Sequence, residues 1–420
     1  MYRFPGYVDY HKENDGIYVT SNLYGNVIRL TDYAVKQEFE NLVEQSGCEK
    51  LETPLTNLLH EQGLLLNDTE FNQTMTEIRK LMDDIFTISI LPTEGCNFRC
   101  PYCYEDHNSA RMSREILNQI KKYIVEQIPK YSKVNLGWFG GEPTLCKDIV
   151  LEICTLFQTL KVKYGFEFYS NMTTNGYLLD EKTFCQFYKL GITSYHITLD
   201  GWNHDKTRPK ASGEGTLQTI LRNLISISNL DKSEYHFQIT IRHNILAGDH
   251  DYSWYDFLFR LFGQDERFQI YIHPVDDWGG KSVHGLNLIS EDDKNRVVRE
   301  HIEYLTRIGM KCSNTQKDNK LFGHVCYACR PNAVVFRCNG MIEKCTLSLG
   351  HPKNRLGWID PKKGVVINSD INQLWGFSEL KPECRSCPDL LQCMNLRCGR
   401  SRIISNKGTE PCNLARLNLY

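Results

Sequence analysis

The chain opens on apolar positions set at two different periods. "GIYVTSNLYGNVIRL" (residues 16–30) alternates on both sides of Tyr24-Gly25-Asn26 and predicts two strands joined by a turn. "DYAVKQEFENLVEQSG" (32–47) takes the helical period and runs out at Gly47, the expected C-cap. "PLTNLLHEQGLLL" (54–66) predicts a short helix and a turn at Gly63. "DTEFNQTMTEIRKLMDD" (68–84) predicts a third helix with Asp68 as N-cap. Strands followed by helices make residues 1–84 a small α+β unit.

The pattern then changes to regular alternation. Apolar or β-rich runs fall at "FTISILP" (86–92), "KVNLGWFG" (133–140), "FEFYSNMT" (166–173), "SYHITLD" (194–200), "YHFQITIRHNI" (235–245) and "FQIYIHPV" (268–275). Helical patterns separate them, at residues 113–128, 148–165, 180–191 and 216–229. Strands alternating with helices predict βαβ units and a parallel sheet over residues 85–310. Six such strands fit an open doubly wound sheet or a partial barrel, and both gather chemistry at the C-terminal strand ends. From 311 to 420 the long helical patterns fade into cysteines, glycines and short strand-like pieces. "AVVFRCNGMIEKC" (333–345) reads as a hairpin turning at Asn339-Gly340.

Composition narrows the class. A chain of 420 residues exceeds one small core and implies two or three units. With 41% hydrophobic and 24% charged residues it is globular. Its 49 basic and 51 acidic residues leave a net charge of −2, no broad electrostatic basis for binding nucleic acid or an anionic membrane. No apolar run reaches the ~18 residues needed to span a bilayer. "MYRFPGYVDYHKENDG" lacks the layout of a signal peptide, so the expected location is cytoplasmic.

Cysteine is the anomaly: there are 17, unevenly placed. A large chain without a secretion signal has little use for a disulfide framework, and clustered cysteines there more often bind metal. Isolated Cys48, Cys146, Cys154 and Cys185 read as small buried hydrophobes. That reading does not explain "TEGCNFRCPYCYED" (93–106), which puts Cys96, Cys100 and Cys103 within eight positions directly after the first βα-unit strand. Structural zinc would want a fourth ligand, for which His107 is the nearest candidate. An ordinary ferredoxin cluster would also take four cysteines. A four-iron cluster on three thiolates would leave one iron open to a small molecule.

The spacing C-x3-C-x2-aromatic-C, with Tyr102 as the aromatic, resembles the radical S-adenosylmethionine (SAM) superfamily. The resemblance implies a partial (β/α)6 TIM barrel. It implies that the open iron chelates SAM, and that one electron releases a 5′-deoxyadenosyl radical that abstracts an unactivated hydrogen. Other stretches agree. "GGEP" (140–143) follows the second barrel strand, where relatives hold the methionine amino group, which carries Gly141 and Glu142 over as contacts. "SNMTTNG" (170–176) matches the Thr-Asn-Gly stretch lining the cofactor pocket. In "ITLDG" (197–201), Thr198 stands where relatives place a hydroxyl near the methionine carboxylate. Arg208 of "HDKTRP" matches an arginine pairing with that carboxylate, although its distance from Asp200 is shorter than in many relatives. A solvent-facing arginine is the plain alternative. Val275 matches a backbone position near the adenine, and Tyr102 would contact the adenine through its backbone. No catalytic acid or base is assigned; Asp200, Asp276 and Asp277 are candidates by position alone.

The C-terminal cysteines resemble the SPASM extension of these enzymes, which holds two auxiliary four-iron clusters. By that resemblance one cluster takes Cys326, Cys329, Cys345 and Cys398, with Cys312 and Cys338 competing for the place of Cys326. The other takes Cys384, Cys387, Cys393 and Cys412. "MNLR" between Cys393 and Cys398 is one residue longer than the family spacing. Zinc in the Cys384-Cys387-Cys393 group is the structural alternative. The count implied is three 4Fe–4S clusters plus SAM.

Residues 1–84 resemble the winged-helix-like domains that hold a leader peptide by adding it as a strand to a sheet edge. A cap that binds nothing is the alternative. The expected function is a peptide maturase that installs a thioether or carbon–carbon crosslink in a ribosomally made precursor, drawing electrons from a reductant such as flavodoxin or ferredoxin. A sulfatase-type formylglycine maturase and a non-catalytic iron–sulfur electron carrier stand as alternatives.

Overall fold

The computed structural model describes residues 1–107, 110–278, 282–315, 325–376, 379–395 and 398–405. Cys412 lies outside the described residues. The chain divides into two compact units.

One unit joins residues 1–84 to the described residues of 325–331 and 373–405. Its sheet is antiparallel, in the order β1 (Val8–Glu13), β2 (Gly16–Ser21), β3 (Val27–Leu30). β2 and β3 flank the expected turn. β1 escapes pattern reading because "VDYHKE" has no buried face and so no alternation. Helices Tyr33–Glu44, Pro54–Glu61 and Asp68–Asp83 follow. Two caps differ from expectation. Asn67, not Asp68, caps the third helix: Asn67 Oδ1 accepts the Glu70 N–H at 3.0 Å while Glu70 Oε2 accepts the Asn67 N–H at 2.9 Å. At the end of the first helix Ser46 takes the left-handed conformation (φ 58°), and the Gly47 N–H reaches back to the Leu42 carbonyl at 2.8 Å.

Two cores hold this unit. Ile17, Val19, Phe39, Leu42, Leu59 and Leu64 pack the sheet against the first two helices. The third helix faces a different cluster, in which Phe71, Met75 and Ile78 meet Cys329, Cys384 and Met394. The N-terminal segment therefore shares a core with part of the cysteine-rich segment. Gly6 shows how closely: a Cβ there would lie 1.9 Å from the Cys387 carbonyl oxygen, and its N–H donates to the Arg385 carbonyl at 2.6 Å. The Arg385 guanidinium in turn donates to Asp68 and to the Leu66 carbonyl, each at 2.6 Å.

The other unit contains the parallel sheet. β4 (Ile85–Ile90), β5 (Lys133–Trp138), β6 (Glu167–Thr174), β7 (Ile192–Thr198), β8 (Gln238–Ile245) and β9 (Phe268–Pro274) lie side by side, all parallel. Helices Arg114–Gln127, Lys147–Tyr164, Glu181–Lys189 and Leu217–Ser228 occupy the expected connections. Helices Ser253–Phe262 and Glu291–Arg307 are additional; both carry an apolar face, with Trp254, Tyr255, Leu258 and Phe262 buried on the first and Val297, Val298, His301 and Leu305 on the second.

β10 (Ala333–Phe336) pairs parallel to β4 and extends the sheet through β11 (Met341–Glu343), β12 (Arg355–Asp360) and β13 (Gly364–Ile367). β10 is buried along its whole length, so "AVVF" needs neighbours on both sides, and the β4 edge supplies one. The 311–420 segment is thus shared between the two units.

Candidate functional site

The three-cysteine loop leaves β4 and is clamped on its flank by residues 209–211. The Arg99 N–H donates to the Pro209 carbonyl at 2.9 Å, and the Ala211 N–H to the Asn97 carbonyl at 2.8 Å. Phe98 is fully buried beneath this bridge. The Cys103 N–H closes a turn onto the Cys100 carbonyl at 3.0 Å. The Phe98 N–H points at Cys96 Sγ, 3.4 Å away. Burial pushes the Cys96 and Cys103 thiols up to about 12 and raises Cys100 too. Thiolates in such a place need a compensating cation, which a metal cluster provides. No three His, Cys, Asp or Glu side chains among the described residues are drawn together as a single metal ion requires.

The "GGEP" turn after β5 rests directly on the start of this loop. The Gly141 N–H donates to the Thr93 carbonyl at 3.2 Å and the Glu142 N–H to the Gly95 carbonyl at 2.9 Å. A Cβ on Gly140 would lie 2.3 Å from the Thr93 oxygen, and one on Gly141 2.3 Å from the Gly95 oxygen. The two glycines are therefore required by close backbone approach. Glu142 is fully buried, and its carboxylate is committed within the protein. Oε1 accepts from the Thr144 N–H (3.0 Å), the Thr144 hydroxyl (2.5 Å) and the Thr174 hydroxyl (2.7 Å); Oε2 accepts from the Asn175 N–H (2.7 Å). Asn175 Nδ2 then donates to Asn97 Oδ1 at 2.8 Å, tying the Thr-Asn-Gly turn after β6 to the cysteine loop.

A second polar network joins the loop to the ends of β7 and β8. The Tyr102 hydroxyl donates to Asp200 and accepts from Arg208 Nη1 (2.9 Å) and Asn244 Nδ2 (3.2 Å). Asp200 also accepts from the Thr207 hydroxyl at 2.9 Å and from Asn244 Nδ2 at 3.2 Å. Arg208 is 9% exposed, which removes the solvent-facing alternative. Burial opposes its charge, but Cys100, Tyr102 and Asp200 around it hold its pKa well above the ordinary value. Its Nε is buried without a partner, a donor left over for an anionic ligand. Thr198 ends β7, in register with Arg242 of β8. Val275 is buried, its N–H bonded to the Ile245 carbonyl at 3.0 Å.

Asp276 is paired with Lys294, and Asp277 lies 3.7 Å from His284. Asn244 went unnoticed in the sequence. Its signal is a polar residue at the C-terminal end of a barrel strand, which is weak without knowing which face it takes.

Among the C-terminal cysteines, the unit containing residues 1–84 holds Cys326, Cys329, Cys384, Cys387, Cys393 and Cys398. Cys326 hydrogen-bonds through its thiol to Cys329, and Cys398 lies close enough to Cys329 to act on its charge. Cys312, Cys338 and Cys345 are buried in the sheet unit. Cys312 donates towards Asn314 Oδ1 at 3.5 Å.

Residues 90–257 match the Radical SAM superfamily, and the chain carries a radical SAM domain. Such a domain implies a 4Fe–4S cluster and SAM. Within it, one relative is the GTP 3′,8-cyclase of Haemophilus ducreyi, 31% identical over 134 residues, which are 31% of this chain and 37% of that protein. Another is molybdenum cofactor biosynthesis protein 1 of Dictyostelium discoideum, 28% identical over 202 residues, 45% of this chain and 28% of the relative. The chain thus spans well under half the length of either relative. Among solved structures, SuiB of Streptococcus suis bound to its precursor peptide SuiA is similar over 94% of each chain, with a TM-score of 0.52 and 14% identity. Native anSMEcpe with bound AdoMet and a Cp18Cys peptide is similar over 73% of this chain and 88% of its own, with a TM-score of 0.51 and 18% identity. At these identities the likeness is one of fold. No helix among the described residues is long and apolar enough to cross a membrane.

Proposed function

We propose that this protein is a radical SAM maturase that forms a thioether or carbon–carbon crosslink in a ribosomally synthesised precursor peptide. The observation that carries the reading is the extent of the SuiB likeness. It runs over 94% of this chain, far beyond the radical SAM domain, and SuiB in that structure is bound to a precursor peptide. The three-stranded sheet supports it, because β1 and β3 are edge strands on which an extended leader can add.

When bound, the cluster and SAM supply a deoxyadenosyl radical, chemistry that belongs to the cofactor. This chain's residues would hold and orient. Cys96, Cys100 and Cys103 would ligate the cluster. Gly141 would offer backbone to the methionine amino group while Glu142 fixes the turn. Thr198 and Arg208 would take the carboxylate, and the backbone of Tyr102 and Val275 would meet the adenine. Cys326, Cys329, Cys345 and Cys398, and Cys384, Cys387, Cys393 and Cys412, would hold auxiliary clusters, which would supply an electron acceptor for a net oxidation.

The test uses anaerobically reconstituted full-length protein, reduced and supplied with SAM. Formation of 5′-deoxyadenosine separates an enzyme from an electron carrier. Co-expression with a short cysteine-containing reading frame from beside the gene should give a peptide lighter by two hydrogens. An unchanged peptide mass, or a formylglycine product, would remove the crosslink. Iron near ~12 per chain is expected for three four-iron clusters; near ~4 would remove the auxiliary pair.

A further inference from the structure

One face of the parallel sheet holds a cation that the cofactor residues do not use. Arg242 lies mid-face on β8, in register with Thr198 of β7 on one side and Tyr271 of β9 on the other. Its Nε donates to Asn244 Oδ1 at 2.6 Å. That is its one side-chain hydrogen bond among the described residues, so the paired Nη groups meet no acceptor. No carboxylate among the described residues forms an ion pair with it; Asp200, the nearest in charge, is committed to Tyr102, Thr207 and Asn244. A second unsatisfied group stands beside it: His196 Nε2, on β7, is buried without a partner, its ring 5.8 Å from Tyr271.

The rings nearest Arg242 on β7 and β9 are neutral. Burial, with the charge of Arg242 added, pushes His196 down to about 3 and His273 well below its ordinary range; burial lifts Tyr271 to about 12. A guanidinium stays charged at any working pH. Holding it partly desolvated without a counter-ion costs stability that a bound anion restores. The two open Nη groups present the fork that matches a carboxylate. Arg208, held by Tyr102 at the cysteine loop, is already assigned to the SAM carboxylate, so Arg242 is a separate cation.

We infer that Arg242 is a specificity-determining residue for substrate: its guanidinium takes an acidic side chain of the peptide on this face of the sheet, with His196 as the second polar contact. The inference rests on the peptide-maturase reading. A free carboxylate also occurs on SAM, and the test has an arm for each source.

Reconstituted full-length protein with SAM bound is titrated with acetyl-Gly-Glu-Gly-amide and with its glutamine counterpart, and binding is read by saturation-transfer NMR. The glutamate peptide should bind the wild type and the glutamine peptide should bind about tenfold more weakly, the worth of a charge-assisted pair. Arg242→Gln should abolish the discrimination and Arg242→Lys should restore part of it. SAM affinity, measured by equilibrium dialysis, should move less than about twofold in Arg242→Gln but about tenfold in Arg208→Gln. Equal binding of the two peptides to the wild type, or unchanged discrimination in Arg242→Gln, overturns the inference. So does a tenfold loss of SAM affinity in Arg242→Gln, which would assign the residue to the cosubstrate. Binding is read without turnover, so a protein that crosslinks a peptide yet ignores the glutamate probe fails this inference alone. One that never modifies a peptide fails the maturase reading.

Discussion

The Glu142 carboxylate and the Asn175 backbone N–H meet at 2.7 Å inside the sheet unit, locking the turn after β5 to the turn after β6. The same carboxylate holds Thr144 and Thr174, while the backbone N–H of Glu142 holds the start of the cysteine loop. Glutamine at 142 would set an amide N–H₂ against one of these donors. Glu142→Gln should therefore cost roughly 2–4 kcal/mol in anaerobic denaturant unfolding and reduce iron uptake on reconstitution. Wild-type stability with full iron would refute this role.

Two glycines with positive φ should respond very differently to alanine. Gly25 (φ 72°) has nothing within 4 Å of a new Cβ, so Gly25→Ala should cost only about 1–2 kcal/mol of backbone strain. Gly140 (φ 116°) would drive its Cβ to 2.3 Å from the Thr93 oxygen, at the root of the cysteine loop. Gly140→Ala should cost about 3 kcal/mol or more and abolish the visible absorbance of the loop's cluster. Similar melting temperatures for the two variants would contradict the close approach.

Tyr102 is expected to position Arg208 through its hydroxyl. Tyr102→Phe leaves the ring and removes the shared partner of Asp200, Arg208 and Asn244. SAM affinity should fall about tenfold while cluster iron is retained, because the cysteines are untouched. Equal affinity for SAM in the variant would show that the network is structural only.

Stability should fall on the acid side of neutrality because buried histidines stay uncharged. His204 Nδ1 accepts the Asp200 N–H at 3.1 Å, and His301 Nδ1 faces the Tyr255 hydroxyl at 2.6 Å. Burial lowers both to about 4. The unfolded chain takes up these protons near its ordinary ~6.5, the folded chain only near 4, so stability is complete above ~6.5 and lost on acidification towards 4. Each should contribute up to about 1.4 kcal/mol per pH unit in that window. Urea unfolding at pH 7.0 and 5.5 checks it; His301→Gln should flatten the slope, and a pH-independent midpoint would exclude the effect.

By itself the sequence determined the six parallel strands and the three-cysteine loop that follows the first of them. Both signals are local: alternation of apolar positions survives in any context, and thiol spacing is written in adjacent residues. It also marked Gly141, Glu142 and Arg208, through short motifs at strand ends. Tertiary structure alone decided what those side chains do. That the Glu142 carboxylate is spent on Thr144, Thr174 and Asn175, and that Arg208 is buried against Tyr102, depends on strands far apart in sequence. It alone paired "AVVF" with β4, and set the helix Asp68–Asp83 against Cys384 and Met394. The solitary charge of Arg242 was illegible for the same reason. In a strand, alternation says which residues share a face, but only the folded sheet says what stands across from them.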